Sequence, residues 1–237
     1  MRENRTKDEL RNIEVEKNWN KWAEGSAWVK WGDNIISVTA SVSKRIPKFL
    51  MGQKSGWLAC EYRMLPRAND RRKIRNENMN VPDSRQTEIS RLLGRVLRNA
   101  VDLKGFPHKT IWIDCDVIQA DGGTRIASLL GGFIALLECL KHMKTNGVFT
   151  ELPVKQYIAG LSVAMLDGEI LIDPDYEEDF SADADINIIM NEDHNIIEIL
   201  GGAEGRSHSP ENLTSMIERV KVHIDYLVDL EKKVLSE

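Results

Sequence analysis

Ile111, Ile113, Cys115 and Val117 alternate with Trp112, Asp114 and Asp116, a period of two that predicts a strand. Residues 27–31 and 35–42 on either side of Gly32-Asp33-Asn34 predict a hairpin, and residues 57–62 a third strand. A helical period replaces this pattern at Ile89, Leu92, Leu93, Val96, Leu97, Ala100 and Val101, behind a start signal at Pro82-Asp83-Ser84. That helix is expected over about residues 86–103. Ile126, Leu129, Leu130, Phe133 and Leu137 form a second apolar stripe, which begins near Gly123-Thr124 and ends before Asn146-Gly147. Two further hairpins are expected at 161–172 around Asp167-Gly168 and at 186–199 around residues 191–195. Ser209-Pro210-Glu211 supplies a cap, a first-position proline and an acidic first turn for a last helix carrying Leu213, Met216, Ile217, Val220, Ile224 and Leu227. The basic run 63–80 has no periodicity and is expected to be a long exposed loop.

Hairpins followed by a helix thus occur twice, giving internal halves of about 1–105 and 106–237 with no Pro/Gly-rich linker between them. One α+β domain is the expected organisation. With 237 residues, 42% of them hydrophobic, the chain can bury a core. The apolar stretch 126–140 is interrupted by Gly131, Gly132 and Glu138 and falls short of the ~20 residues of a membrane span, so no membrane association is expected. The charged N-terminal residues lead into no apolar region of the kind a secretory signal needs. Cys60, Cys115 and Cys139 are widely spaced and odd in number, against a disulfide framework or a zinc knuckle, and a reducing, cytoplasmic setting is the expectation.

Charge is distributed unevenly. The net value is −5, yet Arg63, Arg67, Arg71, Arg72, Lys73 and Arg75 face only Asp70, while 173–185 holds seven acids and no base. A basic loop on an acidic chain suits local capture of nucleic acid, and crowded carboxylates suit magnesium or manganese unless they form a solvated loop. Asp179 and Asp185 could share one ion, or divide into a metal ligand and a general acid. Gly122-Gly123-Thr124-Arg125 at the start of a helix has the makings of a phosphate site, though the same residues fit a plain turn capped by Thr124 with a solvated Arg125. Arg85 near the positive end of the first helix fits either an anion ligand or an exposed surface arginine. No two of the five histidines stand at i, i+4 and no serine sits in a glycine elbow, which removes zinc and serine hydrolase readings.

Several separated blocks resemble the ribonuclease PH family of bacteria, nearly end to end: residues 22–26 (WAEGS), 61–67 (EYRMLPR), 115–125 (CDVIQADGGTR), and 175–179 (DYEED) through Asp185-Ile186-Asn187. The resemblance implies mixed sheets packed on helices. It also implies a phosphate-dependent 3′-to-5′ exoribonuclease that trims the 3′ tails of transfer RNA precursors, releases nucleoside diphosphates, runs backwards as nucleotide addition, and assembles as a homohexamer, a trimer of dimers. Carried over residue by residue, inorganic phosphate falls to Arg85, Gly123, Thr124 and Arg125, catalysis and Mg2+ or Mn2+ to Asp179 and Asp185, and RNA to Arg67, Arg71, Arg72, Lys73 and Arg75. Asn4, Ile186, Leu200, Gly202 and His208 depart from the family's usual wording, and none of them is one of these groups. An archaeal exosome-type catalytic subunit shares the fold and the aspartates but usually lacks Met64-Leu65-Pro66-Arg67. A silent, RNA-binding ring subunit would be marked by loss of the phosphate arginines or of the acidic pair.

Overall fold

The computed structural model describes residues 2, 5–74, 83–203 and 206–236. Its chain runs β1 (Ile13–Lys17), β2 (Gly25–Trp31), β3 (Asn34–Ser43), β4 (Trp57–Met64), α1 (Ser84–Ala100), β5 (Thr110–Gln119) and α2 (Thr124–Thr145). There follow β6 (Ile158–Leu166), β7 (Glu169–Ile172), α3 (Tyr176–Ser181), β8 (Ala184–Asn191), β9 (Ile196–Ala203) and α4 (Pro210–Ser236). The first sheet has the order β1-β2-β3-β5-β4 and is mixed, because β5 lies antiparallel to β3 and parallel to β4. The second sheet, β7-β6-β8-β9, is antiparallel throughout. The predicted α+β class with sheets packed on helices is the fold observed, with the first sheet mixed and the second antiparallel. The change of sheet falls after α2, however, since β5 inserts into the first sheet.

α2 packs on β2, β3 and β5 of one sheet and on β6 of the other, and so has no solvent face over most of its length. By length and composition it could cross a membrane, but 89% of its apolar window is buried inside the protein. Gly131 permits this: a Cβ there would stand 2.7 Å from a Val38 methyl, so the helix backbone lies directly on the sheet. α1 follows the expected stripe, burying Ile89, Leu92, Leu93, Val96, Leu97 and Ala100, and Asp83 caps it by accepting from the Gln86 N–H at 3.1 Å. It begins two residues earlier and ends three earlier than its sequence pattern suggested. The cysteines are buried and free, as their apolar settings required.

Two elements have no counterpart in the sequence-based expectation. β1 is five residues with a half-buried alternation, hidden within a charged arm. α3 is six residues inside the acidic run, stabilised by a capping box in which Asp175 accepts from the Glu178 N–H and Glu178 from the Asp175 N–H. Acids in its first turn also meet the positive end of the helix dipole.

Glu231 of α4 is fully buried, and neither of its carboxyl oxygens has a hydrogen-bond partner among the described residues. Burial raises its pKa well above the ordinary carboxylate value, with Glu192 adding to the effect and Lys232 opposing it. The folded state therefore keeps a proton that the unfolded chain releases at lower pH. Stability from this group is fully present below the unfolded value and is lost as pH rises through the folded one. Thermal unfolding followed between about pH 5 and 8 should show a smaller fall in Tm for Glu231→Gln than for the parent; equal slopes would contradict this assignment.

Candidate active site

The turn from β5 into α2 is tightly constrained backbone. Gly122 and Gly123 both take positive φ, +64° and +67°, which glycine adopts without strain. A Cβ on Gly122 would also stand 2.7 Å from the Asp175 carbonyl carbon, so α3 abuts the turn. Asn34 holds it from one side, accepting from the Asp121 N–H at 2.8 Å and donating to the Gly122 carbonyl at 2.6 Å. Arg11 holds it from beneath, donating to the Asp121 and Gly122 carbonyls and pairing with Asp173 at 2.6 Å. Both partners are almost wholly buried, and Trp31 Nε1 donates to the same carboxylate at 2.9 Å. Burial alone would raise the Asp173 carboxyl, but hydrogen bonds and charge from Arg11, with Trp31, hold it below the usual carboxylate value.

Among the described residues no side chain caps α2: Gly123 is the N-cap, its carbonyl accepts from the Ile126 and Ala127 N–H groups at 3.1 Å, and Gly123 and Thr124 line the cleft. The alternative of a Thr124 cap is thereby corrected, because the Thr124 hydroxyl is buried and bonds to the Tyr62 hydroxyl at 2.9 Å. Arg125 is not a solvated surface group either. Its Nη2 lies 2.8 Å from Glu88 Oε2 of α1, leaving Arg125 Nε and Glu88 Oε1 buried without partners among the described residues. Arg85, the second residue of α1, lines the same space. Burial raises the Tyr62 phenol, while the Thr124 hydrogen bond and the charges of Arg85 and Arg125 oppose the rise, so both cations act on one point.

The opposite wall comes from α3 and the second sheet. Asp179 on α3 and Asp185 on β8 line the cleft, with Tyr176, Phe180, and Ser162 donating to Asn187 at 2.8 Å. Leu200 and Gly202, two of the departures from the family's wording, lie on its β9 side. The cavity measures about 670 Å³. It therefore gathers Arg85, Gly123, Thr124, Arg125, Asp179 and Asp185, which are far apart in the chain, and Lys73 joins them. Arg67, Arg71 and Arg72 are exposed on the neighbouring loop and do not line the cleft; Arg71 lies 3.8 Å from Asp70. Arg75 and Pro82 lie outside the described residues.

The acidic run is divided by this arrangement rather than held together. Asp173 takes Arg5, Arg11 and Trp31, Glu178 takes Arg2 and Arg5, and Asp175 caps α3. Much of the expected repulsion is thus met by arginines of the N-terminal arm, while Asp179 and Asp185 line the cleft. Among the described residues no group of three or more His, Cys, Asp and Glu side chains gathers as a metal cluster.

Models of the 3′ exoribonuclease family match this chain at residues 9–141 for the family's domain 1 and 156–219 for its domain 2. Ribonuclease PH of Moorella thermoacetica is 39% identical over 229 residues, covering 97% of this chain and 92% of that protein. The chain belongs to the 3′ exoribonuclease family. It is a phosphorolytic 3′-to-5′ exoribonuclease of the ribonuclease PH type. Solved structures extend the likeness in fold. An archaeal exosome core superposes with a TM-score of 0.78 at 22% identity, over 96% of this chain and 89% of that one. An Archaeoglobus fulgidus exosome with RNA bound to the active site gives 0.80 at 22%, over 95% and 90%. Rice (Oryza sativa) Rrp46 gives 0.75 at 18%, over 98% of each chain.

Within this exoribonuclease the glycine turn and acidic pair were visible in the sequence, whereas Arg11, Asn34, Tyr62 and Glu88 were not singled out. Asn34 and Tyr62 left only a trace, as a turn residue of the first hairpin and as a member of the third strand and of the 61–67 block. All four act through contacts across long stretches of sequence that no local pattern encodes.

Proposed function

We propose that the cleft between α1, the β5–α2 turn, α3 and β8 is where phosphorolysis occurs. The observation that carries this is the convergence in one cavity of an uncapped helix start, two arginines from different helices and two aspartates from a third helix and a strand. Arg85, Arg125, Thr124 and the Gly123 N–H hold inorganic phosphate, since guanidinium groups and free backbone N–H groups are the donors an oxyanion needs. The bound phosphate is itself the nucleophile, so no base has to activate water. One of its oxygens attacks the phosphorus of the terminal phosphodiester. The bond from that phosphorus to the 3′ oxygen of the preceding nucleotide breaks, and the shortened RNA and a nucleoside diphosphate leave. One of Asp179 and Asp185 delivers the proton that the departing oxygen takes up. Because a diester is exchanged for an anhydride, the same groups also support nucleotide addition.

Asp179 and Asp185 fit a divalent ion such as Mg2+ or Mn2+, which commonly takes one or two carboxylates and completes its shell with substrate phosphate and water. When bound there it offsets charge on the transferred group. Phosphate as co-substrate is a property of the family; the metal is part of this proposal.

The substrates proposed are transfer RNA precursors with 3′ tails, handled by a homohexamer built as a trimer of dimers. Support comes from the ribonuclease PH relative and from structural neighbours that are themselves exosome components. Arg67, Arg71, Arg72, Lys73 and Arg75 serve as the RNA-binding loop, and Lys73 is the described member that reaches the cleft. Trimming of a tailed transfer RNA should stop near the acceptor duplex. Replacement of Arg71, Arg72 and Lys73 by alanine should weaken binding at low salt and reduce the slope of log affinity against log salt by about 2 to 3 units. An unchanged slope in an intact oligomer would remove the loop from the RNA path.

A further inference from the structure

α3 carries two aromatic side chains one helical turn apart, Tyr176 and Phe180, on either side of Asp179 in sequence. Their rings are stacked, with centroids 6.1 Å apart and planes inclined by 29°. Tyr176 is 57% and Phe180 79% exposed, and neither joins the hydrophobic core cluster. Both line the cleft that holds Arg85, Arg125, Asp179 and Asp185. Two large apolar faces are thus presented to water on a short acidic helix, beside groups suited to phosphate.

The platform is held firmly. The capping box closes the first turn of α3, Arg2 and Arg5 pair with Glu178, and the Tyr176 N–H donates to Asp121 Oδ1 at 3.3 Å. Its orientation is therefore tied to the same glycine turn that offers phosphate its N–H donors. Charged groups in the cleft account for the sugar-phosphate part of an RNA end, and the aliphatic Met64 and Leu200 beside them offer no flat face to a base. An aromatic ring does, and because every base has a π face such contact is sequence-tolerant.

We propose that Tyr176 and Phe180 form a stacking platform for the nucleobase of the 3′-terminal nucleotide. The proposal rests on the reading of this cleft as the site of phosphorolysis. It gives the enzyme a way to hold successive ends of any sequence in register with Asp179 and Asp185 while base identity stays unread.

The test uses the full chain in phosphate-free buffer and two short oligoribonucleotides, one ending in 2-aminopurine nucleotide and one ending in an abasic nucleotide. The protein should quench the 2-aminopurine fluorescence and bind the base-bearing end roughly 5- to 100-fold more tightly than the abasic end. Phe180→Leu, which keeps an apolar side chain but removes the ring, should abolish most of the quenching and of that preference, and Phe180→Trp should restore both. With phosphate present, Phe180→Leu should raise KM for the base-bearing oligonucleotide far more than it lowers kcat. Lack of quenching by the parent protein would overturn the proposal, as would retention of the preference in Phe180→Leu. Loss of the oligomer in Phe180→Leu, with quenching intact, would make this surface a subunit contact instead. Asp185→Asn assayed in parallel separates the two claims: if phosphorolysis survives it unchanged, the cleft reading fails, whereas a failure of stacking alone leaves the dependence on Asp185 in place.

Discussion

Asp185→Asn is expected to lower phosphorolytic turnover by about 10²-fold or more while leaving the fold and the affinity for RNA largely unchanged. The side chain is half-buried at the start of β8, where its backbone pairs with Gly202, and the substitution keeps its shape. What it removes is a charge and a proton site. Asp179→Asn on α3 should behave alike, since both carboxylates reach the same cleft from different elements. Single-turnover rates at saturating magnesium, with RNA affinity measured separately, give the comparison. Near-normal rates for both variants would return the acidic run to a purely structural part, in which Asp173, Asp175 and Glu178 already have defined partners.

The ion pair between Arg125 and Glu88 leads to an expectation in two directions. At 2.8 Å from Arg125, Glu88 occupies a guanidinium that phosphate would also need in the proposed site. Arg125→Ala should raise KM for phosphate roughly 10- to 100-fold, the scale of a charge-assisted hydrogen bond. Lysine at this position should recover only part of the loss, because it lacks the planar fork. Glu88→Gln should shift KM for phosphate the other way, since the carboxylate no longer competes for the guanidinium. Initial rates over a phosphate titration at saturating RNA decide the matter; equal phosphate KM in parent, Arg125→Ala and Glu88→Gln would place the anion elsewhere.

Local periodicity carried a large part of the architecture. β5 alternates from Ile111 to Val117 and α2 announces itself with paired glycines and an apolar stripe, so the strand, turn and helix that frame the proposed phosphate site were legible in the sequence. Asp179 and Asp185 were legible through charge density. The fate of their neighbours was not: the seven acids suggested cations, but arginines of the N-terminal arm, more than 160 residues away in the chain, take Asp173 and Glu178. Such pairing is tertiary, and neither spacing nor composition encodes it. α3 escaped notice because six residues, of which only Tyr176 and Phe180 carry large apolar faces, are too few to show a helical period. Thr124 shows the same limit at a single residue. Its type suits a cap, yet the buried hydroxyl of Tyr62, brought over by the parallel pairing of β4 with β5, takes it instead.

The central claim is that phosphate, not water, cleaves the terminal bond. A tailed transfer RNA precursor incubated with the enzyme, magnesium and isotopically labelled inorganic phosphate reports directly on the attacking group. The expected products are nucleoside diphosphates carrying the label in the outer phosphate, formed at a rate that falls towards zero as phosphate is withdrawn. Unlabelled nucleoside monophosphates released equally fast without phosphate would contradict the account.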